Sequence, residues 1–331
     1  MNQDPWTVET LLKTSGGYWQ SCTLHAGVTL GLFTIIGDEW VTPEEVARKV
    51  IADLRGVTIL LDGLAAMGLL VKKEGNYGNS PESKALLVKD SPKYVGYIIH
   101  HHHHLVAAWS ELHEAVRTGK QVRQRSSHSE ETERESFLMG MFNLAMSTAP
   151  QVAEQVDLAG RQHLLDLGGG PGTYAIQFCL ANPELRATVY DLPTTQPFAL
   201  KTIERFGMSA HIDFVGGDYL SEEIPGSYDV AWLSHILHGE GPEGCQKLID
   251  KTVSVLQEGG LILIHDFILD DSMDGPLFPA LFSLNMLVNT PQGQSYSELQ
   301  LVEMLRNAGA REINRLPFKG QNDSGIMAGI V

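Results

Sequence analysis

The chain has little cysteine and little positive charge. Its three cysteines, Cys22, Cys179 and Cys245, are odd in number and scattered. That argues against a disulfide framework or a zinc cluster, and for core or near-core thiols in a reducing compartment. Against 40 Asp and Glu stand only 24 Lys and Arg, and the resulting formal charge of −16 repels phosphate backbones and anionic lipid. No apolar run approaches the roughly 18 residues that a membrane span needs. The opening Met1-Asn2-Gln3-Asp4 lacks the basic region of a secretory signal. The expectation is a cytoplasmic protein with neither nucleic acid nor membrane as partner. Hydrophobic residues at 43% and charged residues at 19% describe an ordinary globular composition. The 331 residues suffice for two domains of roughly 150 residues each.

What is abundant is glycine at one place. Leu164-Leu165-Asp166-Leu167-Gly168-Gly169-Gly170-Pro171-Gly172 is a short apolar run that ends in glycines, and Thr173 to Ala181 has helical composition. The pattern is strand, loop, helix. Gly168, Gly170 and Gly172 suit a backbone that takes positive φ or touches a ligand. The dinucleotide fingerprint G-x-G-x-x-G fails, because counting from Gly168 its third glycine falls on Thr173. An acid two residues ahead of the glycines gives D-x-G-x-G-x-G, which resembles motif I of class I S-adenosylmethionine-dependent methyltransferases. A carboxylate there suits a ligand ending in an ammonium and would repel a pyrophosphate.

Two further strands carry acids at their ends. Thr188-Val189-Tyr190-Asp191 places a carboxylate where it can accept ribose hydroxyls, with Leu192 following. Ile212 to Tyr219 places Asp218 to accept from an adenine amine and Tyr219 to offer a ring face. Taken singly, each Asp reads more readily as a helix cap or turn residue; in register, the three point at one crevice. Repeated strand-helix units, with Asp229 to Ser234 a fourth strand, a helix from Glu243 to Leu256 stopping at Gly259-Gly260, and a buried fifth strand over Leu261 to Asp266, predict an α/β doubly wound sheet. Ser297 opens a last helix with a capping box. Two final strands, about 311 to 317 and 325 to 331, form an antiparallel pair.

Ahead of this lies a mainly helical region. Thr42-Pro43-Glu44-Glu45 is a helix start with a capping box, a second helix covers about Asp53 to Met67, and a hairpin turns at Gly75-Asn76. Helix, helix, hairpin is the winged-helix layout. Acids outnumber bases through Asp90, and Asp53 and Asp62 fall on the would-be recognition helix, so dimerisation suits this region better than DNA binding. Residues 93 to 117 read as one long helix holding the run His100 to His104. His100 and His104 have the spacing of a metal pair, with a solvated or interface run as the competing reading and no third ligand evident. Lys120 to Glu135 reads as a polar loop, and Phe137 to Val156 as a helix with a methionine stripe.

With the winged helix, the glycine loop, Asp191-Leu192-Pro193 and Leu237-His238 in order, nearly the whole chain resembles the cation-independent O-methyltransferases that include plant phenolic and acetylserotonin enzymes. The resemblance implies a class I methyltransferase fold, a winged-helix dimerisation domain over 1–92, connecting helices at 93–150 that contribute to the acceptor pocket, and a catalytic domain over 151–331. It implies a homodimer, S-adenosylmethionine as methyl donor, no metal, and an aromatic small-molecule acceptor. Cofactor contacts would fall to Asp166, Gly168, Gly170, Gly172, Asp191, Leu192, Asp218, Tyr219 and Ser234; acceptor contacts to Met146, Phe282, Asn285, Met286 and Thr290. His238 matches the family's general base, with Asp266 orienting it. The chemistry needs a base: a phenol of pKa about 10 is ionised to only about one part in a thousand near pH 7. Three positions depart from the family pattern, with Gly239 in place of an Asp, Ser295 in place of an acid and Tyr296 in place of an Arg. Relatives that methylate carbon, or larger conjugated substrates such as tetrapyrroles, are therefore an alternative. A winged-helix regulator that senses S-adenosylmethionine is another.

Overall fold

The computed structural model describes residues 5–123 and 131–331. The chain divides into two units, Met1–Leu105 and Val106–Val331. The first contains α1 (Val8–Ser15), α2 (Tyr18–Thr29), α3 (Leu32–Ile36), α4 (Pro43–Val50), α5 (Leu54–Ala66), β1 (Leu70–Lys73), β2 (Asn76–Asn79), α6 (Pro81–Leu87) and the start of α7 (Gly96–Ser110). Thr42 and Glu45 form the expected capping box, Thr42 Oγ1 accepting from Glu45 N–H at 3.2 Å and Glu45 Oε2 from Thr42 N–H at 2.9 Å. Asp53 stands outside α5 and caps it, accepting from Gly56 N–H at 2.8 Å. Asp62 ties α5 to the hairpin through Lys72 Nζ at 2.6 Å and the Tyr77 hydroxyl at 2.8 Å. The hairpin turns one residue earlier than expected. Glu74 and Gly75 carry the positive φ values, and Asn76 already pairs with Lys73. Leu32, Phe33, Val46, Leu61, Leu64 and Tyr77 form the core of this unit.

The second unit continues with α8 (Leu112–Thr118), α9 (Glu131–Met146), α10 (Ala149–Gln155), β3 (His163–Leu167), α11 (Thr173–Ala181), β4 (Arg186–Asp191), α12 (Gln196–Arg205), β5 (Ile212–Gly216), β6 (Tyr228–Ser234), α13 (Pro242–Ser254), β7 (Leu256–Leu269), α14 (Leu277–Asn289), β8 (Tyr296–Ser297), α15 (Glu298–Asn307), β9 (Arg311–Arg315) and β10 (Ser324–Ile330). Several boundaries differ from expectation. The long helix over 93–117 breaks at Glu111 into α7 and α8. The polar stretch at 131–135 is helical, while residues 124–130 of the expected loop lie outside the described residues. The helix over 137–156 is two helices. Pro150, which lacks an N–H and would clash with a preceding carbonyl, cannot continue α9, and Ser147 turns its hydroxyl back to Leu144 O. Gly259 and Gly260 lie inside β7 rather than at the end of a helix, since α13 already stops at Ser254.

Sheet order is β5-β4-β3-β6-β7-β10-β9, with β8 paired to β7. The five strands from β3 to β7 run parallel, and β10 runs antiparallel to both β7 and β9. The chain steps outward from β3 to β4 and β5, then returns to the other side of β3 as β6. The crevice at the carboxyl ends of β3 and β6 is therefore a topological switch point, where doubly wound sheets bind ligands. Both faces of the sheet are covered. Leu164, Val189 and Trp232 pack toward α10, α11 and α12 on one side; Leu165, Leu233 and Ile264 pack toward α13 and α15 on the other. Strands buried on both faces read as nearly continuous apolar runs, which is why β3 and β6 were legible.

Candidate active site

The glycine loop leaves β3 at the switch point. Gly168, Gly170 and Gly172 all have positive φ, of 64°, 55° and 79°. At Gly168 a Cβ would lie 2.6 Å from Ile236 Cγ2 and 3.4 Å from the Tyr219 ring, so the loop is pressed between the segments that follow β6 and β5. At Gly170 a Cβ would meet nothing within 4 Å, so this part of the loop faces open space, where a ligand can come against bare backbone. Gly172 then begins α11.

The three acids are placed differently from one another. Asp191 sits at the end of β4 and accepts from Gly170 N–H at 2.8 Å, Leu192 N–H at 2.6 Å and the Thr195 hydroxyl at 3.0 Å. It thereby ties the second strand end to the loop. Burial pushes its carboxyl pKa up, against the pull of these hydrogen bonds. Asp166 is only 1% exposed and lies beneath the loop, where a Cβ on Gly169 would strike it. One of its oxygens accepts from Ala175 N–H at 3.2 Å, in the first turn of α11, and Oδ1 has no partner. Burial, reinforced by the charge of Asp191, pushes the Asp166 carboxyl up to about 7. Asp218 follows β5 rather than ending it, and its carboxylate accepts from Leu220 N–H at 2.9 Å and the Ser221 hydroxyl at 2.8 Å. Tyr219 lies against Gly168. Ser234, at the end of β6, shares a 3.1 Å hydrogen bond with His265 Nδ1.

After β6 the chain passes through His235, a non-glycine residue at φ 56°, into a short 3₁₀ turn at Leu237–Gly239. This turn brings His238 over the end of β7. His238 Nδ1 lies 2.7 Å from Asp266 Oδ1, and its backbone N–H points at Asp266 Oδ2 at 3.4 Å. Asp266 is buried, and burial alone would raise its pKa. The neighbouring imidazoles of His238 and His235 outweigh that and hold it well below the usual carboxylate range. An ionised carboxylate only accepts, so in the neutral ring of His238 the proton sits on Nδ1 and the lone pair on Nε2.

Aromatic rings enclose this pair. Phe282 on α14 meets His238 edge to face at 4.8 Å, and Phe267 lies parallel to it at 6.1 Å. Phe278 packs against both phenylalanines, at 4.8 Å from Phe267 and 5.8 Å from Phe282. One turn along α14, Asn285 Oδ1 accepts from Trp109 Nε1 at 3.0 Å and Asn289 Nδ2 at 3.2 Å. Met286 and Thr290 are buried, and the Thr290 hydroxyl holds a turn by donating to Met286 O and accepting from Gly293 N–H. Met146 lies at the end of α9, its sulfur 3.8 Å from Gln177 Nε2. The structure thus brings Phe282 to His238, ties Asn285 to Trp109, and places Met286 and Thr290 in packing positions.

The three departures also find physical places. Gly239 completes the turn that carries His238. Ser295 is buried, with its hydroxyl unpartnered. The Tyr296 hydroxyl donates to Glu240 O at 2.5 Å, bracing the segment after His238, and burial pushes its pKa up. Sequence reasoning missed His235, Phe267 and Phe278 as neighbours of His238 and Trp109 as the partner of Asn285. No local pattern marks them, since they meet only when β7 and α14 pack beside β6. Among the described residues, His235, His238 and Asp266 are the one group of three that could hold a metal ion. The His100 and His104 rings stand 6.4 Å apart and are not part of such a group.

The chain is similar to known proteins over nearly its whole length. Residues 109–311 match the O-methyltransferase domain family, and residues 12–89 match the O-methyltransferase dimerisation domain family. The 3-hydroxy-5-methyl-1-naphthoate 3-O-methyltransferase of Streptomyces sahachiroi is 33% identical over 97% of this chain and 94% of its own. Acetylserotonin O-methyltransferase of Gallus gallus is 28% identical over 92% of each chain. Among solved structures, PigF with SAH, a protein known from Serratia, superposes with a TM-score of 0.91 at 25% identity, covering 98% of this chain and 100% of that one.

Proposed function

Because the chain belongs to the S-adenosylmethionine-dependent, cation-independent O-methyltransferase family, we propose that it methylates a hydroxyl on an aromatic small molecule, with His238 as general base. The observation that carries this reading is the 2.7 Å contact between His238 Nδ1 and Asp266 inside a wall of phenylalanines. Asp266 fixes the tautomer and favours the imidazolium that forms when Nε2 takes the hydroxyl proton, a contribution of about 10² to 10⁴-fold. Phe267 and Phe282 offer flat apolar faces and exclude water, which suits a planar acceptor.

The loop fits the donor. Open space at Gly170 and the unpartnered Asp166 Oδ1 beneath it suit the amino acid end of S-adenosylmethionine, and Asp191, Leu192, Asp218 and Tyr219 ring the nucleoside side. When bound, this molecule supplies an electrophilic methyl on a sulfonium. Asp166 acts from below, anchoring the first turn of α11 through Ala175 N–H. Ser234, held by His265, lies at the mouth of β6 between the two halves of the site. The aromatic acceptors in the relatives' names, a naphthoate and acetylserotonin, support the acceptor class.

The N-terminal unit would serve self-association, giving a homodimer. Asp53 and Asp62 are occupied in capping α5 and bracing the hairpin, which argues against groove entry by that helix. The test of the catalytic reading is His238→Ala. Methyl transfer to a phenolic acceptor is expected to fall at least about 100-fold, with S-adenosylhomocysteine affinity unchanged by calorimetry. Turnover like that of the wild type would reject His238 as base.

A further inference from the structure

Asp266 is shared by two imidazoles, and catalysis as described uses only one. His235 Nδ1 lies 3.5 Å from Asp266 Oδ1, the oxygen that already meets His238 Nδ1 at 2.7 Å. His235 Nδ1 is sheltered from solvent and has no aligned hydrogen-bond partner. The residue is held in the left-handed region at φ 56°, its backbone N–H donating to His265 O at 2.8 Å. That backbone conformation is costly for a residue of this type, and here it turns the ring toward the carboxylate. One ligand atom from each of His235, His238 and Asp266 lies within 4.8 Å of the other two. Ligands on a tetrahedral ion of about 2.0–2.2 Å bond length stand about 3.4 Å apart. Binding an ion would require the rings to turn toward one another.

We propose that these three side chains form an inhibitory site for a first-row divalent metal ion, best matched by zinc. Two imidazoles and one carboxylate, with further positions open to water, make a donor set that zinc and its neighbours favour and that magnesium and calcium do not. The ion is no part of methyl transfer. It competes with it. His238 binding through Nδ1 must move its ring proton to Nε2 by way of water, so the neutral ring keeps one proton and Nε2 loses its lone pair. Binding through Nε2 consumes that lone pair outright. In either case no base is left for the acceptor hydroxyl.

The neighbouring groups suit this arrangement. His265, whose ring stands 4.5 Å from that of His235, bonds Ser234 and Ser324 through its two nitrogens, so both are already engaged and the ring packs beside the three ligands without competing for an ion. Phe267, 4.5 Å from His235, restricts water on the other side. The inhibitory consequence rests on His238 being the base; the binding does not.

Equilibrium dialysis of the full chain against zinc, compared with His235→Asn, separates the two. Asn tolerates the left-handed backbone, and His235→Gly serves as a second variant if the first folds poorly. The His100 to His104 run contributes equally to all three proteins. The wild type is expected to bind one more zinc ion per chain than either variant. Its methyl transfer is expected to fall in zinc and recover with chelator, and each variant, measured against its own metal-free rate, should need at least about tenfold more zinc for the same loss. Equal stoichiometry in wild type and variants would overturn the site. An extra ion without loss of activity would leave the site standing and remove His238 as base.

Discussion

Gly168 and Asp166 show what single residues contribute at this crevice. A methyl group at Gly168 combines a left-handed backbone with a contact of 2.6 Å to Ile236, a residue fixed by its neighbours in the core. Gly168→Ala is therefore expected to cost about 1–3 kcal/mol of stability and to weaken S-adenosylhomocysteine binding at least tenfold by calorimetry. Asp166 makes a prediction of the opposite kind, about pH. Its folded-state pKa is raised from 3.8 to about 7, chiefly by burial. An acid shifted upward stabilises the fold fully below its unfolded value, and that contribution is lost as pH rises through about 7. Denaturant melts of the ligand-free protein should show stability falling between pH 5 and pH 8, with Asp166→Asn reducing that fall by about 1–3 kcal/mol. An identical pH profile in the variant would show that Asp166 is not the group responsible.

At the scale of elements, α14 does much to enclose His238. Its spacing places Phe282 on His238, Asn285 one turn on against Trp109, and Asn289 one further turn on, with Nδ2 donating to Asn285 O and Oδ1. One face of a single helix thus meets both the His238–Asp266 pair and Trp109. Phe282→Ala removes a ring from the wall around His238 without touching the glycine loop. It is expected to raise KM for an aromatic acceptor about tenfold, by loss of an aromatic contact worth about 0.5–1.5 kcal/mol beyond its buried area, while S-adenosylhomocysteine binding stays as it was. A change in cofactor affinity instead of acceptor KM would place Phe282 on the wrong side of the site. The β6–turn segment is equally local in its logic. Tyr296 holds Glu240, Asp266 holds the His238 backbone, and Ile236 packs on the glycine loop, so the segment carrying His238 is fixed from three directions.

For the whole molecule, the N-terminal unit exposes Leu12, Tyr18 and Trp19 on its first two helices, all more than half accessible. A cluster of large apolar side chains of this kind marks an association surface. Within a region that matches a dimerisation domain over 12–89, it predicts a dimer in analytical ultracentrifugation. The double variant Leu12→Asp, Trp19→Asp should shift the chain to monomer, and a wild-type chain that sediments as a monomer would contradict the assignment. The strong negative charge favours acceptors that are neutral or cationic over long range.

Local pattern determined much of this protein: the glycine loop, the acids near the carboxyl ends of β3 and β4, the capping boxes at Thr42 and Ser297, and the succession of parallel strands. These were legible because each is a short-range constraint, a backbone angle, a cap or a run of apolar residues, written within a few positions of itself. Boundaries set by competition, such as the break at Pro150 or the early start of β7, were read less well. Only the tertiary structure decided that Asp166 lies beneath the loop, that Asp218 is engaged in its own turn, and that His235, Phe267 and Phe278 stand around His238. Those relations depend on which strands become neighbours, and burial, shared carboxylates and ring contacts come into being only when residues far apart in the chain are packed side by side.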